Sequence, residues 1–126
     1  MHLQSLGVVK SGARTLEVGC GNGSISAWLA QQVAPEGLAV AVDLDLSLVD
    51  AHLPNLELRK ADIVAAPVDR GSFDLVTARA VLHHAADVEK AIANLIAGLR
   101  AGGAILLIEP DFLPVTIAEP SEARAF

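Results

Sequence analysis

Three glycines, two aspartates and a pair of histidines are the residues of this chain best suited to chemistry, and their spacing groups them. Gly19, Gly21 and Gly23 alternate with Cys20 and Asn22 directly behind an apolar run, Thr15 to Val18. Glycine permits backbone angles that side chains resist and lets a ligand lie against the main chain. A helical pattern starts at once behind the loop, and the first turn of a helix carries N–H groups without partners. Strand, glycine loop and helix in that order describe a nucleotide cradle. Asp43 ends the next apolar run, twenty residues past Gly23. A carboxylate there accepts both hydroxyl protons of a ribose lying across the glycine loop, and Leu44 beside it is placed to press on the face of a base. The plainer role for Asp43 is to start a turn. Asp62 ends a third run, where its carboxylate suits an exocyclic amine and the Ile63 amide suits a ring nitrogen; a simple turn residue is the alternative. Two acidic strand ends favour adenosine over a phosphate-rich ligand.

What is missing narrows the chemistry. No Lys-Ser or Lys-Thr follows the glycines, which excludes a nucleoside-triphosphate loop on pattern. A dinucleotide fingerprint needs its third glycine one residue later, where Ser24 stands, so a nicotinamide-dependent oxidoreductase is a distant reading. An acidic cradle of Glu17, Asp43 and Asp62 also suits a cation better than a pyrophosphate. Neither HExxH nor paired CxxC occurs, and adjacent side chains such as His83 and His84 seldom converge on one ion, so no metal is expected. Their ordinary pKa does suit proton transfer near neutral pH.

These residues need a scaffold, and the periodicities supply one. Apolar strands are expected at Arg14–Val18, Leu38–Val42, Phe73–Ala78 and Ala104–Ile108, with an alternating, edge-like strand at Leu56–Lys60. Ile25, Trp28, Leu29 and Val33 recur at helical spacing behind the glycines, stopped by Pro35-Glu36-Gly37. A short helix carrying Leu46, Leu48 and Val49 is expected between the second and third strands, with Asp45 as its cap. Asp87 caps a further helix with Val88, Ala91, Ile92, Leu95 and Leu99 inward, ended by Arg100-Ala101-Gly102-Gly103. Residues 1–13 read as the tail of a helix. Strands alternating with helices make an α/β fold, an open and mainly parallel sheet covered on both faces. Such sheets bind ligands beyond the carboxyl ends of their strands, where Gly19 to Gly23, Asp43, Asp62, Arg79 to His84 and Glu109 to Asp111 fall.

Composition limits the partners. At 126 residues the chain reads as one domain, 1–126. Net charge is −6 with nine scattered basic residues and 3% aromatics, which argues against nucleic acid and leaves a small molecule as the expected substrate. No run approaches the roughly 18 apolar residues of a membrane span, and no secretory leader pattern opens the chain. The lone Cys20 cannot form an internal disulfide, which suits a cytoplasmic setting.

Taken together, the motifs resemble those of the class I S-adenosylmethionine-dependent methyltransferases. Glu17-Val-Gly-Cys-Gly-Asn-Gly23 is similar to the family's first motif, whose glycines accommodate the methionine part of the cofactor. Asp43 matches its ribose-holding acid and Asp62-Ile63 its adenine-contacting pair. Phe73-Asp74-Leu75-Val76 through His84 is similar to the fourth motif, where backbone near Arg79 would face the cofactor's amino group. Arg100-Ala101-Gly102-Gly103 resembles an Arg-Pro-Gly-Gly turn with Ala101 replacing proline. The resemblance spans about Gly12 to Asp111. It implies a Rossmann-like sheet of order 3-2-1-4-5, S-adenosyl-L-methionine as cofactor, and methyl transfer to an O, N or C nucleophile, with His83 or His84 as candidate catalytic base. A cofactor-binding module without catalysis is the alternative. The family's final antiparallel hairpin is expected to be missing, as in a chain truncated after its fifth strand. That would leave Ala104–Ile108 as an apolar edge open to pairing in a homodimer.

Overall fold

Side-chain alternation along the strands decides the layers. In β1 (Arg14–Val18), Leu16 and Val18 enter one core cluster, while Glu17 points to the opposite face. The computed structural model describes residues 7, 9–79, 87–108 and 115–117. Behind β1 come α1 (Ser24–Val33), β2 (Leu38–Asp43), β3 (Leu56–Lys60), β4 (Phe73–Arg79), α2 (Val88–Ala97), β5 (Leu99–Ile108) and β6 (Val115–Ile117). The sheet order is β3-β2-β1-β4-β5-β6. The first five strands run parallel in the expected order 3-2-1-4-5, and β6 is antiparallel to β5.

One face of the sheet is covered by α1, whose Leu29 and Ala30 pack with Ala39, Leu75, Ala104 and Leu106. On the other, Ala91 and Leu95 of α2 pack with Leu16, Val40, Phe73, Val76 and Ile105. Helices therefore lie on both faces, as the α/β reading requires. Asn55 ties down the end of α1, donating from Nδ2 to the carbonyls of Ala30 at 2.8 Å and Gly37 at 3.2 Å. At the amino ends of the strands, Asp74 accepts from the Arg14 amide at 2.8 Å and forms an ion pair with Arg100.

Several expectations are corrected. The segment around Leu46–Val49 is a turn rather than a helix. Asp45 accepts from the Ser47 amide at 2.9 Å, a local bond that competes with helical pairing, and Leu44 and Leu48 stay 62% and 71% exposed. α2 ends at Ala97 with Gly98 as its cap, earlier than Arg100. Residues 100–103 instead bulge from β5, with Gly102 at φ 81° and the register to β4 shifted. Val88 lies outward at 43% exposure. The bare β5 edge is also overturned: β6 pairs Val115, Thr116 and Ile117 with Leu107, Leu106 and Ile105. A dimer through that stretch of β5 therefore loses its premise. Among the described residues β6 is the single antiparallel strand. The proposed helix tail falls largely on residues 1–6 and 8, outside the described residues.

Candidate functional site

The glycine loop is held by the neighbouring strand. At the end of β1 the amides of Gly19 and Cys20 both donate to the Val42 carbonyl, at 2.8 and 3.2 Å, and the Gly23 amide returns to the Cys20 carbonyl at 2.9 Å. All three glycines are left-handed, with φ of 78°, 56° and 85° at Gly19, Gly21 and Gly23. A Cβ built on Gly21 would meet nothing within 4 Å, so the loop has an open side at that position. Gly23 is the reverse. Its added Cβ would stand 3.2 Å from Val49 Cγ1, because the β2–β3 connection folds back on the loop and the Asp50 amide donates to the Asn22 carbonyl at 3.0 Å.

Asp43 joins the two elements. Its Oδ2 accepts from the Gly21 amide at 3.1 Å, and its Oδ1 accepts from the Leu44 amide at 2.7 Å and more weakly from Asp45 at 3.4 Å. Three backbone donors orient a half-buried carboxylate with lone-pair capacity to spare for ligand hydroxyls. Leu44 stands exposed next to it. The Asp43 carbonyl accepts from the Ala61 amide at 3.1 Å, which brings the end of β3 alongside.

Asp62 is exposed, and its Oδ1 accepts from the Val64 amide at 2.9 Å while its carbonyl accepts from the Ala65 amide at 3.0 Å. It therefore builds its own turn. The Ile63 side chain is buried, and its carbonyl accepts from Asn94 Nδ2 of α2 at 2.6 Å. Arg79 is the last residue of β4; since Val18 pairs with Ala78, its backbone lies level with Gly19. His83 and His84 fall in the stretch 80–86, outside the described residues.

Two members of the first motif face inward. Glu17 is 1% exposed and accepts from Ser26 Oγ of α1 at 2.6 Å, tying the helix behind the loop to the strand before it. Cys20 is buried, and its thiol is pushed up to about 11, first by burial and then by the negative charges of Asp43 and Glu17. A buried thiol held above its ordinary pKa is a weak nucleophile near neutral pH. Sequence reasoning missed Ser26 and Asn94. A polar residue on the buried stripe of a helix is the one signal each carries. Among the described residues no group of His, Cys, Asp and Glu could hold a metal ion, and no helix is long and apolar enough to cross a membrane.

Residues 16–107 match the methyltransferase-domain family. The chain belongs to that family. Among its methyltransferase relatives, the demethylmenaquinone methyltransferase of Roseiflexus castenholzii is 34% identical over 110 residues, covering 83% of this chain and 46% of the relative. An uncharacterized protein of a Streptomyces fradiae transposon is 33% identical over 117 residues, covering 88% of this chain and 34% of that one. The chain thus spans less than half the length of these relatives. In structure it is similar to a SAM-dependent methyltransferase from Aquifex aeolicus, with a TM-score of 0.72 at 21% identity over 98% of this chain and 70% of the other. The cofactor of this methyltransferase family is S-adenosyl-L-methionine, and the chain's residues fit it: the loop is open at Gly21, a preoriented carboxylate flanks it, and no lysine marks a phosphate site.

Proposed function

We propose that this chain binds S-adenosyl-L-methionine across the carboxyl ends of β1, β2 and β3 and serves methyl transfer to a small-molecule acceptor. The observation that carries the reading is the Asp43 carboxylate, bonded at once to the glycine loop and to its own strand end. In that reading Asp43 takes the ribose hydroxyls, Gly19 to Gly23 offer backbone to the methionine part, and Leu44 covers the base. Asp62 and the Ile63 amide read the adenine edge, and the Arg79 backbone faces the amino group. Glu17 acts through Ser26, and Cys20 acts as packing under the loop.

The cofactor supplies a methyl group already activated on a sulfonium, so the protein's own work is positioning and water exclusion. A hydroxyl acceptor also needs a base, and His83 and His84 are the residues assigned to it on sequence grounds. A small acceptor is supported by the net charge of −6 and the scarcity of aromatics. The name of the Roseiflexus relative points the same way, to a quinone precursor as that protein's substrate.

Calorimetry with S-adenosylhomocysteine tests the binding half: saturable heat is expected, and none at millimolar ligand would overturn it. Turnover of radiolabelled cofactor with a pool of quinone precursors and other small acceptors tests the catalytic half. Binding without transfer to any of them would instead favour a cofactor-binding module. His83→Ala and His84→Ala should lower turnover of a hydroxyl acceptor while leaving S-adenosylhomocysteine affinity intact.

A further inference from the structure

The β3–β4 connection, residues 61–72, crosses the α2 face of the sheet with no helix of its own. Parallel strands need a long crossover, usually helical, and this one is anchored by side chains instead. Arg59 grips Asp69 with two bonds, Nη1 to Oδ1 at 3.0 Å and Nη2 to Oδ2 at 2.9 Å. At the other end, where Asp62 and Ile63 lie, the anchor comes from α2: Asn94 Nδ2 donates to the Ile63 carbonyl at 2.6 Å and the Val64 carbonyl at 3.3 Å. The bonds span 31 and 30 residues of chain.

We infer that Asn94 is a positioning residue for base recognition: from α2 it fixes the backbone of the Asp62–Ile63 turn and so sets how strictly the site demands an adenine amino group. The inference rests on the reading that Asp62 and Ile63 face the adenine. Asn94 is half-buried in the interior of a helix, where asparagine is a poor choice unless its amide is used. Here one amide nitrogen meets two successive carbonyls, which holds both peptide groups against α2. Ile63 is only 4% exposed and packs into the same core cluster as Ala91 and Leu95, so hydrophobic contact presses the turn onto α2. That contact is non-directional. The amide bonds are directional, and orientation is what a carboxylate needs to meet an exocyclic amine. The Asp62 carboxylate accepts from the Val64 amide, and the carbonyl of that same peptide group, that of Ile63, is the one Asn94 holds at 2.6 Å.

The measurement is the ratio of affinities for S-adenosylhomocysteine and S-inosylhomocysteine, which carries an oxo group where adenine has its amine. Asn94→Asp is isosteric and sets a carboxylate oxygen against the two carbonyls; Asn94→Ala removes the bonds without repulsion. Each should reduce the preference for the adenine ligand by about fivefold, the size of one net hydrogen bond. An equal loss for both ligands, or no loss, would overturn the inference, because a merely structural residue would not change the ratio. Asp62→Ala separates the two levels. If it leaves the ratio unchanged, the adenine reading of Asp62 has failed; if it collapses the ratio while both Asn94 variants retain it, only the role of Asn94 has failed. In the unsubstituted protein, the side-chain amide resonances of Asn94 should shift on saturation with S-adenosylhomocysteine and shift less with the inosine analogue. Equal or absent shifts count against the inference even where a variant fails to fold.

Discussion

The acidic ends of β2 and β3 stand side by side, joined by the Ala61 amide on the Asp43 carbonyl, yet they are built differently. Asp43 is half-buried and held by amides from two elements; Asp62 is exposed and bonded within its own turn. The first is preoriented by the sheet itself, because Gly21 follows the central strand β1 and Asp43 ends β2, its hydrogen-bonded neighbour. The second follows an edge strand, and on the role inferred for Asn94 its orientation is borrowed from α2, which holds the adjoining Ile63 carbonyl. A ligand gripped by both would draw most of its affinity from the preoriented end and its discrimination from the borrowed one.

That contrast can be broken in four ways, from the largest expected effect to the smallest. Asp43→Ala removes a charged acceptor and frees the loop, and should weaken S-adenosylhomocysteine binding by about 10- to 100-fold in calorimetry. A loss no greater than that of Asp62→Ala would erase the contrast. Gly23→Ala and Gly71→Ala form a matched pair, since both positions have positive φ, 85° and 66°. Each should lower stability by about 1–2 kcal/mol in urea unfolding. Gly23→Ala should cost more, because its Cβ also presses on Val49 while that of Gly71 meets open space. Asp62→Ala should weaken S-adenosylhomocysteine by only about fivefold, the worth of one hydrogen bond to an exposed group.

The smallest effect is on Cys20. Its thiol is raised in the folded protein to about 11 from an ordinary 9.0. A raised folded-state pKa means stability complete below the ordinary value and lost as pH rises between the two. Unfolding midpoints should therefore fall from pH 9 toward 11, a fall that Cys20→Ala removes. Iodoacetamide should label the native thiol slowly at pH 8. Asp43→Asn should bring the thiol pKa down, since it deletes a nearby negative charge, and Asp62→Asn should leave it where it is.

Legibility followed the range of the forces involved. β1 was readable to the residue, α1 was readable because its apolar period and its stops are local, and Asp87 was readable as a cap; its side chain accepts from the Lys90 amide at 3.0 Å. The helix expected around Leu46 to Val49 was misread because its apolar period is genuine but its polar residues bond locally and its backbone is recruited by the glycine loop. β6 was missed because three residues carry too little pattern, and what defines them is a partner strand. Ser26 and Asn94 left only a weak trace, since a polar residue in a helix takes its meaning from what faces it.

The succession of strands and glycines along the chain, the placement of Asp43 and Asp62 where strands end, and the α/β fold class were determined by the sequence itself. Those features rest on period, turn chemistry and spacing, all of which act within about twenty residues. Only the tertiary structure decided that the Asp43 carboxylate is held by the glycine loop, while the backbone carbonyls just past Asp62 are held by a helix about 30 residues away. It also decided that Glu17 faces α1 and that β5 is covered by β6. Hydrogen bonds between distant segments depend on the approach of two backbones, and that approach is fixed only when the layers pack.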